Sequence, residues 1–163
     1  MIDLTPFCSP QDDPRYYLCA PFSDGDFSYA TNGHIIVRVP RRADIQEREK
    51  AHPSCHKLFI ENPAREMIAI PDIPPAPPQI DCMTCEATGK WNDGDTVEKC
   101  EDCGGTGKKN ARQDIAVGEV HFAAKYLRLI ITLPGAGKIS PNGTGSAWFT
   151  FDGGDGLLMP IRA

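Results

Sequence analysis

The sequence predicts an α+β fold: a small domain of antiparallel strands and one main helix, interrupted by a β-hairpin module built on four cysteines. Three observations lead there. Residues 15–40, RYYLCAPFSDGDFSYATNGHIIVRVP, alternate apolar and β-branched stretches with Asp24-Gly25 and Asn32-Gly33, pairs that tolerate the positive φ of tight hairpin turns. Phe122, Ala123, Tyr126, Leu127 and Ile130 recur at helical spacing. Between these blocks lie Cys82-x-x-Cys85 and Cys100-x-x-Cys103.

At 163 residues and 40% hydrophobic content the chain has the material for one core plus a small insert. Its 17 Lys and Arg face 22 Asp and Glu, a formal net charge of -5, so no global positive field draws it to phosphate backbones or anionic lipid. The first residues, MIDLTPFCSPQDDP, have neither the basic start nor the apolar run of a signal peptide, and no stretch approaches the length of a membrane span. A cytoplasmic chain is expected. There, seven cysteines, an odd number, point to metal ligation or free thiols rather than disulfides.

In chain order, residues 15–40 read as a three-stranded meander, and RRADIQEREKAH as a short exposed helix or loop, since it lacks an apolar face. MIAI, 67–70, reads as a further strand. The five prolines of PDIPPAPPQ, 71–79, remove backbone donors and favour an extended path, which marks a linker. The expected organisation is a discontinuous domain, 1–70 with 116–163, around an insert at 80–110. The helix beginning near Phe122 stops at Leu133-Pro134-Gly135, and strands follow at 148–151 (WFTF) and 157–161 (LLMPI), joined by the turn DGGDG.

Two Cys-x-x-Cys turns brought together as a hairpin supply the four thiolates that tetrahedral zinc requires, and the glycines after each pair let backbone N–H groups turn toward the sulfurs. Cys82, Cys85, Cys100 and Cys103 are therefore the expected ligands of one structural Zn²⁺; four free thiols or a redox pair are the alternatives. Four thiolates close the coordination shell, which argues against catalysis by the metal. Between 80 and 110, four lysines face seven carboxylates, so nucleic-acid binding is not favoured by charge and a protein contact is. Trp91 is expected to pack over the hairpin, the alternative being an exposed anchor for a partner.

CEDCGGTG resembles the Cys-x-x-Cys-x-Gly-x-Gly repeat of the DnaJ-type cysteine-rich zinc domain, and CMTCEATG does so with Ala87 in place of the first glycine. That family carries four such repeats and two zinc ions; two repeats here imply one ion. His52-Pro53-Ser54 differs from the His-Pro-Asp loop of the J domain, so the resemblance implies a zinc fold without co-chaperone activity.

Outside the insert, residues 15–40 are similar to a segment of the bacterial β sliding clamp, the processivity subunit of replicative DNA polymerase, where Arg-Tyr-Tyr-Leu leads to an Ala-Thr-Asp-Gly-His hairpin. The ending LLMPIRA is similar to that family's Met-Pro-Met-Arg terminus, and residues 116–163 fill out the likeness. Asn32 and Ile35 depart from the family's Asp and Arg, and one domain stands in place of three. The resemblance implies an apolar peptide-binding groove with Thr31, Gly33 and His34 on one wall and Met159, Pro160 and Arg162 on the other. It implies a replication protein or its peptide motif as partner, and is compatible with a phage origin.

Other candidates carry less. His52, Cys55 and His56, with Cys8 and Cys19, contain metal-binding types in no recognised spacing. The Asp-Gly turns have no calcium-loop spacing, and Gly135-Ala136-Gly137-Lys138 lacks the spacer and hydroxyl of a phosphate loop. The expected function is non-enzymatic: a zinc-binding, clamp-like protein-interaction module. The alternative is a DnaJ-type zinc-finger protein unrelated to clamps that holds a partner protein or unfolded chain.

Overall fold

The computed structural model describes residues 1–61, 66–92, 94 and 96–161. The chain divides into two compact units, Met1–Ile73 with Asp114–Ala163, and Pro74–Gln113. No helix among the described residues is long and apolar enough to cross a membrane.

The larger unit opens with 3-10 turns at Thr5–Phe7 and Tyr16–Leu18, followed by strands β1 (Phe22–Asp24), β2 (Phe27–Thr31) and β3 (Ile35–Pro40). The meander thus starts at Phe22 and not at residue 15: only Leu18 of the Tyr16–Leu18 turn is buried, and a single buried position does not specify a strand face. RRADIQEREKAH forms no helix. Its backbone runs along the β1 edge instead, where Ser23 N–H donates to Gln46 O (2.7 Å) and Arg48 N–H to Ser23 O (2.7 Å). A helix that the sequence reading lacked, α1 (His56–Glu61), follows it and buries only Phe59.

Beyond β4 (Ile68–Ala69), the smaller unit holds four short strands: β5 (Gln79–Asp81), β6 (Lys90–Asn92), β7 (Val97–Lys99) and β8 (Lys108–Asn110). The chain re-enters the larger unit through a hairpin, β9 (Asp114–Val117) and β10 (Val120–Ala123), then helix α2 (Ala124–Ile131). Phe122 and Ala123, expected in the helix, belong to β10, where Phe122 pairs with Ile115 and is fully buried. The chain closes with β11 (Lys138–Asn142), β12 (Gly145–Phe151) and β13 (Gly154–Leu158). The last strand begins inside DGGDG and stops before Pro160, which cannot continue a ladder. Pro141 sits where the β11–β12 register shifts, the position in a sheet that tolerates proline.

Seven strands form one antiparallel sheet in the order β1-β2-β3-β13-β12-β11-β4. The chain's first and last strand groups meet at β3–β13, in the register Ile35↔Leu158 to Arg38↔Asp155. Strand periodicity then sorts the side chains. Ile35, Val37, Val39, Ala147, Phe149 and Leu158 join Phe122, Leu127 and Ile130 in the main core; Ile36 and Leu157 join Phe22, Tyr29, Cys55 and Phe59 in a second cluster. A layer containing α2 covers one face of the sheet, and α1 with the Cys55 segment covers the other.

Arg38 belongs to the second cluster. Its guanidinium lies 3.8 Å from the Phe59 ring centroid, 4.5 Å from that of Phe27 and 5.6 Å from that of Trp148. It also donates twice to Asp155, at 2.7 and 2.9 Å, across the β3–β13 pair. With side chains only 15% and 18% exposed, the pair is shielded enough for loss of one partner to matter. Asp155→Asn should therefore lower unfolding stability by about 1–3 kcal/mol in urea titration. An unchanged midpoint would mean that the rings alone hold Arg38.

Candidate metal centre and the face beside the C-terminal strand

The smaller unit repeats one chain path at a spacing of 18 residues: Cys82, Cys85, Thr88 and Gly89 correspond to Cys100, Cys103, Thr106 and Gly107. In each repeat the threonine hydroxyl donates to the carbonyl of the second cysteine, Thr88 to Cys85 O (2.6 Å) and Thr106 to Cys103 O (2.8 Å). The following glycine N–H donates to that cysteine's sulfur, Gly89 to Cys85 Sγ and Gly107 to Cys103 Sγ, both at 3.2 Å. The repeats also close on each other: Cys82 N–H donates to Gly107 O and Cys100 N–H to Gly89 O, both at 2.9 Å. The β5–β8 and β6–β7 ladders extend from this exchange.

These constraints gather all four sulfurs within 4.8 Å of one another, with Cys82–Cys100 at 4.0 Å and Cys85–Cys103 at 3.7 Å. Four thiolates about 2.3 Å from a tetrahedral ion sit about 3.8 Å apart, so the cluster has the size of a metal site. The amide donors suit it as well, since they stabilise negative sulfur. The sulfurs titrate together: burial raises the Cys103 thiol, but the Gly107 N–H and the hydrogen bonds with Cys100 and Cys85 outweigh it and lower it. At Cys100 the Cys103 N–H, which lowers the thiol, is outweighed by burial and by the side-chain hydrogen bonds with Cys103 and Cys85, which raise it. Cys82, Cys85 and Cys100 are buried and Cys103 is half-buried. Apart from these cysteines the unit has no buried hydrophobic cluster among the described residues.

The second repeat has Gly104 and Gly105 at φ of 62° and 82°, whereas Glu86 and Ala87 take φ of 49° and 63° at the matching positions of the first. Side chains there carry the cost of the left-handed region. Gly107 has no such latitude, because a Cβ on it would lie 2.1 Å from Ala87 O.

Trp91, expected to pack over the hairpin, is instead 52% exposed; it lies between Lys90 and Asn92 and pairs with Glu98 in a two-stranded ladder whose residues are all exposed. Acidic groups around the cluster are partly answered, with Asp102 paired to Lys109 at 2.7 Å and Asp81 paired to Lys108.

No second metal cluster forms among the described residues. Burial pushes the Cys8 thiol up to about 11 and Cys55 up to about 12, so both stay protonated. Cys19 donates to Pro10 O (3.0 Å), and His52 Nδ1 accepts from Glu49 N–H (2.9 Å).

In the larger unit, β3–β13 pairing sets the β2–β3 turn beside the C-terminal segment: Met159 N–H donates to His34 O at 2.8 Å. Gly33, His34 and Met159 are exposed and Pro160 is half-buried. Thr31 is buried, with its hydroxyl accepting from Gly33 N–H (3.0 Å), so it holds the turn instead of lining a wall. Asn32 bends the turn through its side chain, accepting from His34 and Ile35 N–H, and only Gly33, at φ +90°, is left-handed. Arg162 lies outside the described residues. Two residues outside the expected groove set complete this face: the half-buried Tyr126 of α2 stacks on His34 at 5.9 Å, and Ser146 Oγ lies 3.0 Å from Met159 Sδ.

Fold and site together define a two-unit protein: an antiparallel-sheet unit, and a small unit whose four cysteines can hold a metal ion. No family model matches the chain, no curated protein matches it in sequence, and no solved structure matches it in fold.

The unequal repeats make a direct test. Ala87→Gly should bind metal as well as the natural chain or several-fold more tightly, a gain of about 0.5–1 kcal/mol from relieved backbone strain, in chelator competition. Gly107→Ala should lose stoichiometric binding, and the reverse order would contradict the geometry.

Proposed function

We propose that the chain is a non-enzymatic zinc-binding protein that acts through protein contacts, its small unit folding on one structural zinc and its sheet unit presenting a peptide-binding face. Zinc is preferred because four thiolates in a closed tetrahedral set suit it and leave no open position for catalysis. The observation that carries the partner reading is the hydrogen bond between Met159 N–H and His34 O. It brings into one unit the two segments that resemble opposite walls of the sliding clamp's peptide groove, and so supports a clamp-like, replication-associated module. Met159 and the His34–Tyr126 stack offer adaptable apolar surface, and the acidic balance of the chain favours proteins over DNA. The half-exposed Trp91 and Val97 favour a second reading, in which a DnaJ-type zinc hairpin itself holds a partner or unfolded chain.

Native mass spectrometry should find one zinc per chain, and Cys82→Ser, Cys85→Ser, Cys100→Ser or Cys103→Ser should each abolish stoichiometric binding. Chelation should unfold the Pro74–Gln113 unit while thermal melting of the sheet unit persists, because its core contains none of the ligands. A folded small unit without metal would refute the structural role.

For the partner face, a labelled clamp-binding peptide should bind, and His34→Ala or Met159→Ala should weaken it about tenfold, the size of a contact hot spot. Absence of binding at millimolar peptide would leave the second reading ahead.

A further inference from the structure

The β9–β10 hairpin, the turn between β11 and β12, and tail residues 160–161 enclose a groove of about 880 Å³ in the sheet unit. That volume accommodates a few peptide side chains. Its apolar lining comes from the half-buried Ile68, Val120, Pro141 and Ile161, and the exposed carboxylates of Glu66 and Glu119 also line it. Among the described residues neither carboxylate has an ion-pair partner, and no Lys or Arg lines the groove. The tail that forms one side is fixed, since Ile161 N–H donates to His121 O at 2.8 Å.

We propose that this groove binds a short peptide in which apolar side chains alternate with Lys or Arg. Apolar side chains entering it leave water against Ile68, Val120 and Ile161, while their cationic neighbours meet Glu66 and Glu119. The chain's net charge of -5 favours the approach of the same kind of partner. The groove does not depend on the His34–Met159 face being a contact, because the two share only the tail.

The test is fluorescence anisotropy with the zinc-loaded full chain and two labelled probes, Leu-Lys-Val-Lys-Leu-Lys and its counterpart with Glu for Lys. The lysine probe should bind, and its affinity should fall at least about fivefold between about 50 and about 500 mM salt as screening grows. The double variant Glu66→Gln/Glu119→Gln, whose exposed side chains leave folding and melting unchanged, should weaken it about tenfold. Met159→Ala should leave it intact, which separates this groove from the other face. Equal binding of the glutamate probe, or an unchanged affinity in the double variant, would overturn the proposal. So would self-association in sedimentation that the double variant abolishes, since it would assign the groove to a second copy of the chain.

Discussion

The antiparallel pairing of β3 with β13 is the constraint on which the rest of the sheet unit depends. It joins Arg38 to Asp155 across 117 residues of sequence, and every strand on either side is placed by it. Without it the β1–β3 meander and the β11–β13 meander are two small sheets, each with an open edge and half a core. With it, Ile35, Val37 and Leu158 form one apolar face against α2, and Ile36 and Leu157 form the other beneath Phe59. The neighbouring turn and tail inherit their positions from the same ladder. The His34–Met159 contact is its continuation by one hydrogen bond.

How much of this the sequence showed depends on whether local chemistry decided the outcome. The β2–β3 hairpin, the strand at 148–151 and the helix around Leu127 and Ile130 were legible, because their burial follows the period of their own residues. Phe122 was misplaced because its spacing to Tyr126 fits a helix, and only its partner Ile115 makes it a strand residue. The β9–β10 hairpin, β11 and α1 have too few buried positions to announce themselves, and each is held by elements distant in sequence. The gathering of the four sulfurs was legible, since two close-spaced pairs leave few other arrangements. Tyr126, Ser146 and the groove beside Glu119 were not, because they are assembled from separate parts of the chain.

The two units solve stability differently. The sheet unit buries Phe7, Phe22, Phe122 and Phe149 almost completely, a conventional apolar core worth about 1.5–3 kcal/mol for each such side chain. The small unit exposes Ile80, Trp91 and Val97 and buries sulfur instead. With so little apolar surface removed from water, its order rests on the hydrogen bonds exchanged between its repeats and, in the proposed zinc-bound state, on metal coordination. Coordination of the proposed zinc would offset the local backbone cost of Glu86 and Ala87 at left-handed angles.

The pairing of Gln79 with Asn110 has a consequence for chain topology. Because strands β5 and β8 lie side by side, Gln79 and Asn110 are neighbours although they stand 31 residues apart in sequence. The module thus closes on itself, its first and last strands forming one ladder. If that ladder opened on loss of the proposed zinc, the 40 residues from Pro74 to Gln113 would become a slack tether, whose closure costs on the order of 2 kcal/mol more than that of a short turn. An ion held by the four cysteines would act as a stitch that shortens the effective contour of the chain.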